Sequence, residues 1–107
     1  MITFSDFKKL EIKIGKVISV EKIPNADKLL KFNFDLGHEQ RQIIAGIAEF
    51  FNDYQALVGQ EMPILVNLEP KKIRGYESQG MILVADADGQ AILLQPAQPV
   101  PPGTIVR

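Results

Sequence analysis

The sequence predicts a small all-β domain with one short helix, and three observations carry that prediction. Apolar residues recur at every second position in several short runs, of which Leu30, Phe32, Phe34 and Leu36 form the cleanest. Breaks rich in turn formers separate the runs: Pro24-Asn25-Ala26, Gly37-His38-Glu39 and Asp86-Ala87-Asp88-Gly89. Only the segment from Ala48 to Val58 spaces its apolar residues in a helical manner.

In chain order, Asp6 to Leu10 predicts a short helical turn capped by Ser5 or Asp6. Glu11 to Ile23 predicts a long first strand. Ile12 and Ile14 share a face, and strict alternation would carry Lys16 onto it, so a bulge at Gly15 is expected to swing the lysine out and bend the strand. The run from Leu30 to Leu36 is the second strand, and a third ends near Ile47. Phe50, Phe51, Tyr54 and Leu57 predict a helix over 48–58 that Gly59 stops. A fourth strand ends at Leu68 and a fifth begins around Gln79. The D-A-D-G turn then returns the chain through Ala91 to Leu94, and the proline-rich end closes with Thr104-Ile105-Val106. Short strands with a helix between the third and fourth suggest a five-stranded Greek-key barrel of the OB type with small terminal additions. Residues 1–107 read as a single domain without internal repeats.

Composition narrows the function. The 46% hydrophobic and 23% charged content is that of an ordinary globular protein. No apolar run approaches the roughly 20 residues of a membrane helix, so no membrane partner is expected. The first residues lack the apolar core of a signal peptide, and cysteine is absent; both fit a cytoplasmic location. The net charge of −1 hides segregation: residues 1–31 carry +3, 32–66 carry −4, 67–81 carry +1 and the rest −1. A weakly acidic chain can therefore present a basic face, though the low total speaks against a general DNA-coating protein.

Catalysis finds no support. His38 is the only histidine and sits in a turn without a positioned partner. Asp86 and Asp88 flank a hairpin turn, and a metal loop would need more oxygen ligands in register. No catalytic residue, metal ligand or cofactor is expected. Phe32 and Phe34 alternate into the core. Tyr76 is the one aromatic placed where it could stack on a base, and it could equally cover a barrel edge. Few exposed aromatics favour recognition of a folded RNA's shape over an unstructured strand.

The most informative stretch is Asn67 to Met81, N-L-E-P-K-K-I-R-G-Y-E-S-Q-G-M, which reads as a loop between two strands. Lys71, Lys72 and Arg74 crowd into it, with the Asn67 amide and the Ser78 hydroxyl at its ends, Pro70 fixing its direction and Gly75 as a hinge. Cations mixed with short polar donors are what phosphate contacts draw on.

The whole string resembles the signature of the tRNA-binding domain found as the C-terminal domain or β subunit of methionyl-tRNA synthetases, in freestanding structure-specific tRNA-binding proteins and in the endothelial-monocyte-activating polypeptide. D-F-K-K-L-E-I-K-I-G-K-V, P-N-A-D-K-L-L, I-I-A-G-I and L-V-G fit the same family in the same order. The resemblance implies an OB barrel, a homodimer, and tRNA contacts at Asn67, Lys71, Lys72, Arg74, Ser78 and Met81, with Lys28 and Lys16 as weaker candidates. Glu69 departs from the family pattern and would lower the local field. The implied function is sequence-independent binding of folded tRNA, by a freestanding protein or by an accessory partner of a methionyl-tRNA synthetase catalytic chain. The alternative is a CsaA-like protein-export chaperone binding unfolded polypeptides, a group lacking the A-D-K-L and S-Q-G-M pairing present here.

Overall fold

In a computed structural model describing residues 1–107, the alternation of the first half becomes one antiparallel sheet. Strands β1 (Ile12–Ile23), β2 (Ala26–Asp35) and β3 (Gln40–Ala45) form a meander, and β4 (Glu61–Leu65) returns to the far side of β1. β7 (Met81–Ile82) follows on β4, so the path runs β3-β2-β1-β4-β7. The spatial order of its first four strands is that of a Greek key. The short final strand β10 (Ile105–Val106) adds to β1 at Ile12 and Lys13, a stretch that β2 leaves unpaired. Two hairpins complete the chain: β5 (Lys71–Ile73) with β6 (Tyr76–Ser78), and β8 (Val84–Ala87) with β9 (Gln90–Leu93). The all-β class holds, while the strands number more than the expected five.

The core is what the alternation selects. Leu30, Phe32 and Phe34 of β2 point inward with Val17, Val20, Ile43, Met62 and Ile64, and the two phenylalanine rings stack at 5.4 Å. Gly15 is required by this packing: a Cβ there would lie 2.8 Å from the Ile64 side chain and 3.0 Å from Phe34.

Four expectations are corrected. The bulge of β1 lies between Val17 and Ser19, and pairing with β4 is regular through Gly15 and Lys16. Lys16 does share a face with Ile12 and Ile14, but that face is the outside of the barrel. The C-terminal segment lies along β1 there through Ile14 N–H to Thr104 O and Gly103 N–H to Ile14 O, and Lys16 is exposed past this cover. The segment 48–58 is not an α-helix. It makes two 3₁₀ turns, Ala48–Phe50 and Tyr54–Leu57, broken by Phe51 in extended conformation and by the turn formers Asn52 and Asp53. The N-terminal turn is α1 (Phe4–Phe7), two residues earlier than expected. Thr3 and Asp6 cap it reciprocally, Asp6 N–H donating to Thr3 Oγ1 and Thr3 N–H to Asp6 Oδ2. Finally, 67–81 is no plain loop, because it folds into β5–β6.

Candidate nucleic-acid interface

The β5–β6 hairpin turns on Arg74-Gly75, both at positive φ (54° and 84°), the geometry of a type I′ turn. Its short strands place Lys71, Ile73, Tyr76 and Ser78 on one face, of which Ile73, Tyr76 and Ser78 dock on the barrel while Lys71 stays exposed at the root. Ile73 and Tyr76 pack with Leu29 onto the small buried cluster of Ile23, Ala26 and Ile44. Ile23 and Ala26 bracket the β1–β2 turn, so the hairpin lies beside that turn and beside the lysines flanking it, Lys22 and Lys28. Lys31 reaches under the hairpin, its Nζ 5.0 Å from the Tyr76 ring centroid and 3.7 Å from the Glu21 carboxylate.

Lys71, Lys72 and Arg74 are exposed and none takes part in an ion pair. Glu77 stands opposite Lys72 in the ladder without closing one. Three unpartnered cations thus stand on a docked hairpin beside the β1–β2 turn that Lys22 and Lys28 flank, a basic rim in which Glu69 and Glu77 are also present. Met81 follows at the hairpin's exit with 45% of its surface exposed, so it is accessible and not core.

Other sequence-selected residues have different roles. Ser78 is buried: its Oγ accepts from Ile44 N–H at 3.0 Å, so it fastens the hairpin to β3. The Asn67 amide is engaged at both ends, Oδ1 accepting from Glu11 N–H (2.9 Å) and Nδ2 donating to Lys9 O (2.6 Å). It ties the N-terminal segment to the end of β4. Lys16 lies about 20 Å along β1 from the turn, between Asp35 and Glu61 in the two ladders, and does not join the rim. Tyr76 is half-buried on the Ile23–Ala26–Ile44 cluster, covering a barrel edge.

Sequence reasoning missed Lys31, an ordinary outward residue of β2 until Tyr76 of the hairpin arrives beside it. It also missed the β3 side chains that hold the hairpin. Gln42 Nε2 donates to Glu77 O, and its backbone N–H donates to Gln79 Oε1, both at 3.0 Å. Arg41 reaches the backbone on both sides of the hairpin. Nothing local in Q-R-Q-I-I marks these long-range partners.

Comparison with known proteins identifies the family and the fold. The family model described as "Putative tRNA binding domain" matches residues 12–105. Methionine–tRNA ligase of Methanoregula boonei is 53% identical over 108 residues, covering 100% of this chain and 16% of that protein. The chain thus spans about one-sixth of the length of the curated relatives it matches. Among solved structures, a MetRS-related protein from Pyrococcus horikoshii superposes with a TM-score of 0.94 at 38% identity, covering 100% of this chain and 98% of that one. The chaperone CsaA from Bacillus anthracis gives 0.88 at 31% identity, covering 100% and 99%.

Proposed function

This chain belongs to the tRNA-binding domain family, and on that premise we propose that it binds tRNA by folded shape, without reading sequence. The observation that carries the reading is the docked basic hairpin, whose free cations sit on a fixed frame beside Lys28. Phosphates spaced along a folded RNA match such a rim, and phosphate contacts position a protein without carrying sequence information. Phe32 and Phe34 are buried in the core and Tyr76, the aromatic of the hairpin, is occupied by packing and by Lys31, so the hairpin itself displays no stacking platform for single-stranded bases. That combination supports recognition of backbone shape.

The module would act freestanding or beside the catalytic chain of a methionyl-tRNA synthetase, raising the local concentration of tRNA there. A homodimer fits the same reading. Phe4, Phe7, Leu10, Ile12, Ile105 and Val106 line one apolar groove, and Phe4 is 74% and Ile105 58% exposed. Light scattering is expected to report about twice the 11.9 kDa chain mass; a clean monomer at micromolar concentration removes the dimer.

The deciding experiment is a titration of several tRNAs of different anticodon, with duplex DNA and an unfolded polypeptide as competitors. The tRNAs should bind within a few-fold of one another. A hundredfold preference for one of them, about 2.7 kcal/mol, would require base readout and contradict shape recognition. Efficient competition by the polypeptide would instead favour the chaperone reading, which the CsaA likeness keeps in view.

A further inference from the structure

Resting on that tRNA-binding reading, we propose that Arg41 is a positioning residue for RNA binding: it clamps the base of the basic hairpin from strand β3 and does not itself touch the RNA. Its guanidinium is committed on every side. Nη1 donates to Val66 O at 2.7 Å and to Gln79 O at 3.0 Å. Nε and Nη2 both address Glu39 Oε1, at 3.1 and 2.9 Å. Val66 is the last buried residue before the chain leaves the barrel, and Gln79 is the first residue after β6. One planar group therefore joins the end of the barrel segment that leads towards the hairpin, at Val66, to the residue directly after β6, Gln79, with residues 67–70 between Val66 and β5, while Glu39 fixes its orientation and balances its charge.

The clamp has a reason to sit on β3. The outer edge of this strand has no ladder partner, and its N–H groups at Gln42 and Ile44 are met by the side chains of Gln79 and Ser78. Gln79 N–H in turn donates to Gln42 O at 2.7 Å. Segment 77–80 thus closes the barrel edge through one backbone bond and three that involve a side chain, a set that is small and individually weak. A fork-shaped donor that ties Gln79, directly after β6, to Val66 at the end of the barrel segment before it limits rocking of the hairpin at its exit. Lysine keeps the charge but cannot hold two carbonyls and a carboxylate in one plane.

The consequence for binding is distinctive. If the hairpin rocks, RNA must order it on contact, and affinity falls although every phosphate-contacting cation remains. Arg41→Lys and Gln42→Ala, the latter removing only the bond to Glu77 O, are measured against total tRNA across a salt series at a temperature where both variants are folded. Amide exchange is followed in parallel. For Arg41→Lys we expect about tenfold weaker binding with an unchanged salt slope. The Gln42, Ile44 and Gln79 amides should exchange faster while those shared by β1 and β2 keep their protection. Gln42→Ala should show the same signature, smaller. In a third variant that removes the charge, Arg41→Gln, a slope reduced by about one unit means that Arg41 neutralises a phosphate directly and overturns the proposal. Unchanged affinity with only a lower Tm makes Arg41 a stability residue and overturns it too. A parent chain that fails to bind tRNA overturns the proposed function itself, whereas a binding parent with equally binding variants overturns the clamp alone.

Discussion

The two hairpins of this molecule share a backbone design and differ in nearly everything that matters for a ligand. β5–β6 turns on Arg74-Gly75 with φ of 54° and 84°, and β8–β9 turns on Asp88-Gly89 with φ of 52° and 86°. Each is a short antiparallel pair closed by a type I′ turn. The first presents Lys71, Lys72 and Arg74; the second presents Asp86 and Asp88, and Asp86 Oδ1 is taken up by Gly89 N–H at 2.8 Å. Their anchoring differs as well. β8–β9 rests Val84, Ala91 and Leu93 against the main core, whereas β5–β6 adds to the packing of Ile73 and Tyr76 directional bonds from Gln42 and Ile44, with Arg41 holding Gln79 directly after it. Apolar contact fixes a hairpin's position loosely, while hydrogen bonds at its root also fix its angle. The two hairpins thus share a turn geometry and differ in charge and anchoring, which is what the proposed division into a binding element and a covering one rests on.

The largest effect should come from removing the charge that distinguishes the two. In Lys71→Ala/Lys72→Ala, two lost phosphate contacts are each worth about fivefold at 0.15 M salt, so tRNA affinity should fall about 25-fold and the salt slope by one to two units. The fold should remain, because exposed side chains change stability by only ~0.5 kcal/mol. Parent-like binding with a parent-like slope would reduce the hairpin to a solvated turn and erase the functional contrast.

A second pair of variants separates turn geometry from charge. Gly75→Ala and Gly89→Ala meet no neighbouring atom, so left-handed backbone strain is the only cost at either position. Each should destabilise its own hairpin by about 1–2 kcal/mol. Only Gly75→Ala should weaken tRNA binding, by several-fold, since only there do cations depend on the turn. Equal losses of binding from both would show that β8–β9 shares the interface.

Much of this contrast was legible in the sequence, in an uneven way. The β1–β2 meander and its core followed from alternation at Leu30, Phe32 and Phe34, and all three are fully buried. The basic segment was visible as composition, and the D-A-D-G turn as turn chemistry. The β5–β6 hairpin was not, because three-residue strands are too short to show a period and Arg-Gly is a weak turn signal beside Asp-Gly. Ser78 and Asn67 looked like ligand donors because their acceptors and donors are 34 and more than 50 residues away. The outward placement of Lys16 depended on the C-terminal segment covering Ile12 and Ile14, which no local pattern reveals. For the same reason the 48–58 segment kept helical spacing without becoming helical, its side chains being set by the barrel end they cover.

The finest test installs one residue at the same turn position in both hairpins. Arg74 and Asp88 occupy equivalent left-handed sites, and asparagine tolerates that region better than either, with Asn-Gly the favoured type I′ pair. Arg74→Asn and Asp88→Asn should thus both leave stability within ~0.5 kcal/mol of the parent, on the favourable side. Their effects on tRNA should part. Arg74→Asn removes one phosphate contact and should cost about fivefold with a slope loss near one unit. Asp88→Asn removes a negative charge from a surface that the RNA does not approach, and at 0.15 M salt a charge more than ~8 Å away is screened, so affinity should move by less than about twofold. Repeating the measurement at low salt, where the screening length grows, should raise the affinity of Asp88→Asn modestly above the parent through long-range repulsion relieved. A tenfold gain at 0.15 M would mean that the acidic hairpin touches the RNA, and the division of labour between the two hairpins would have to be redrawn.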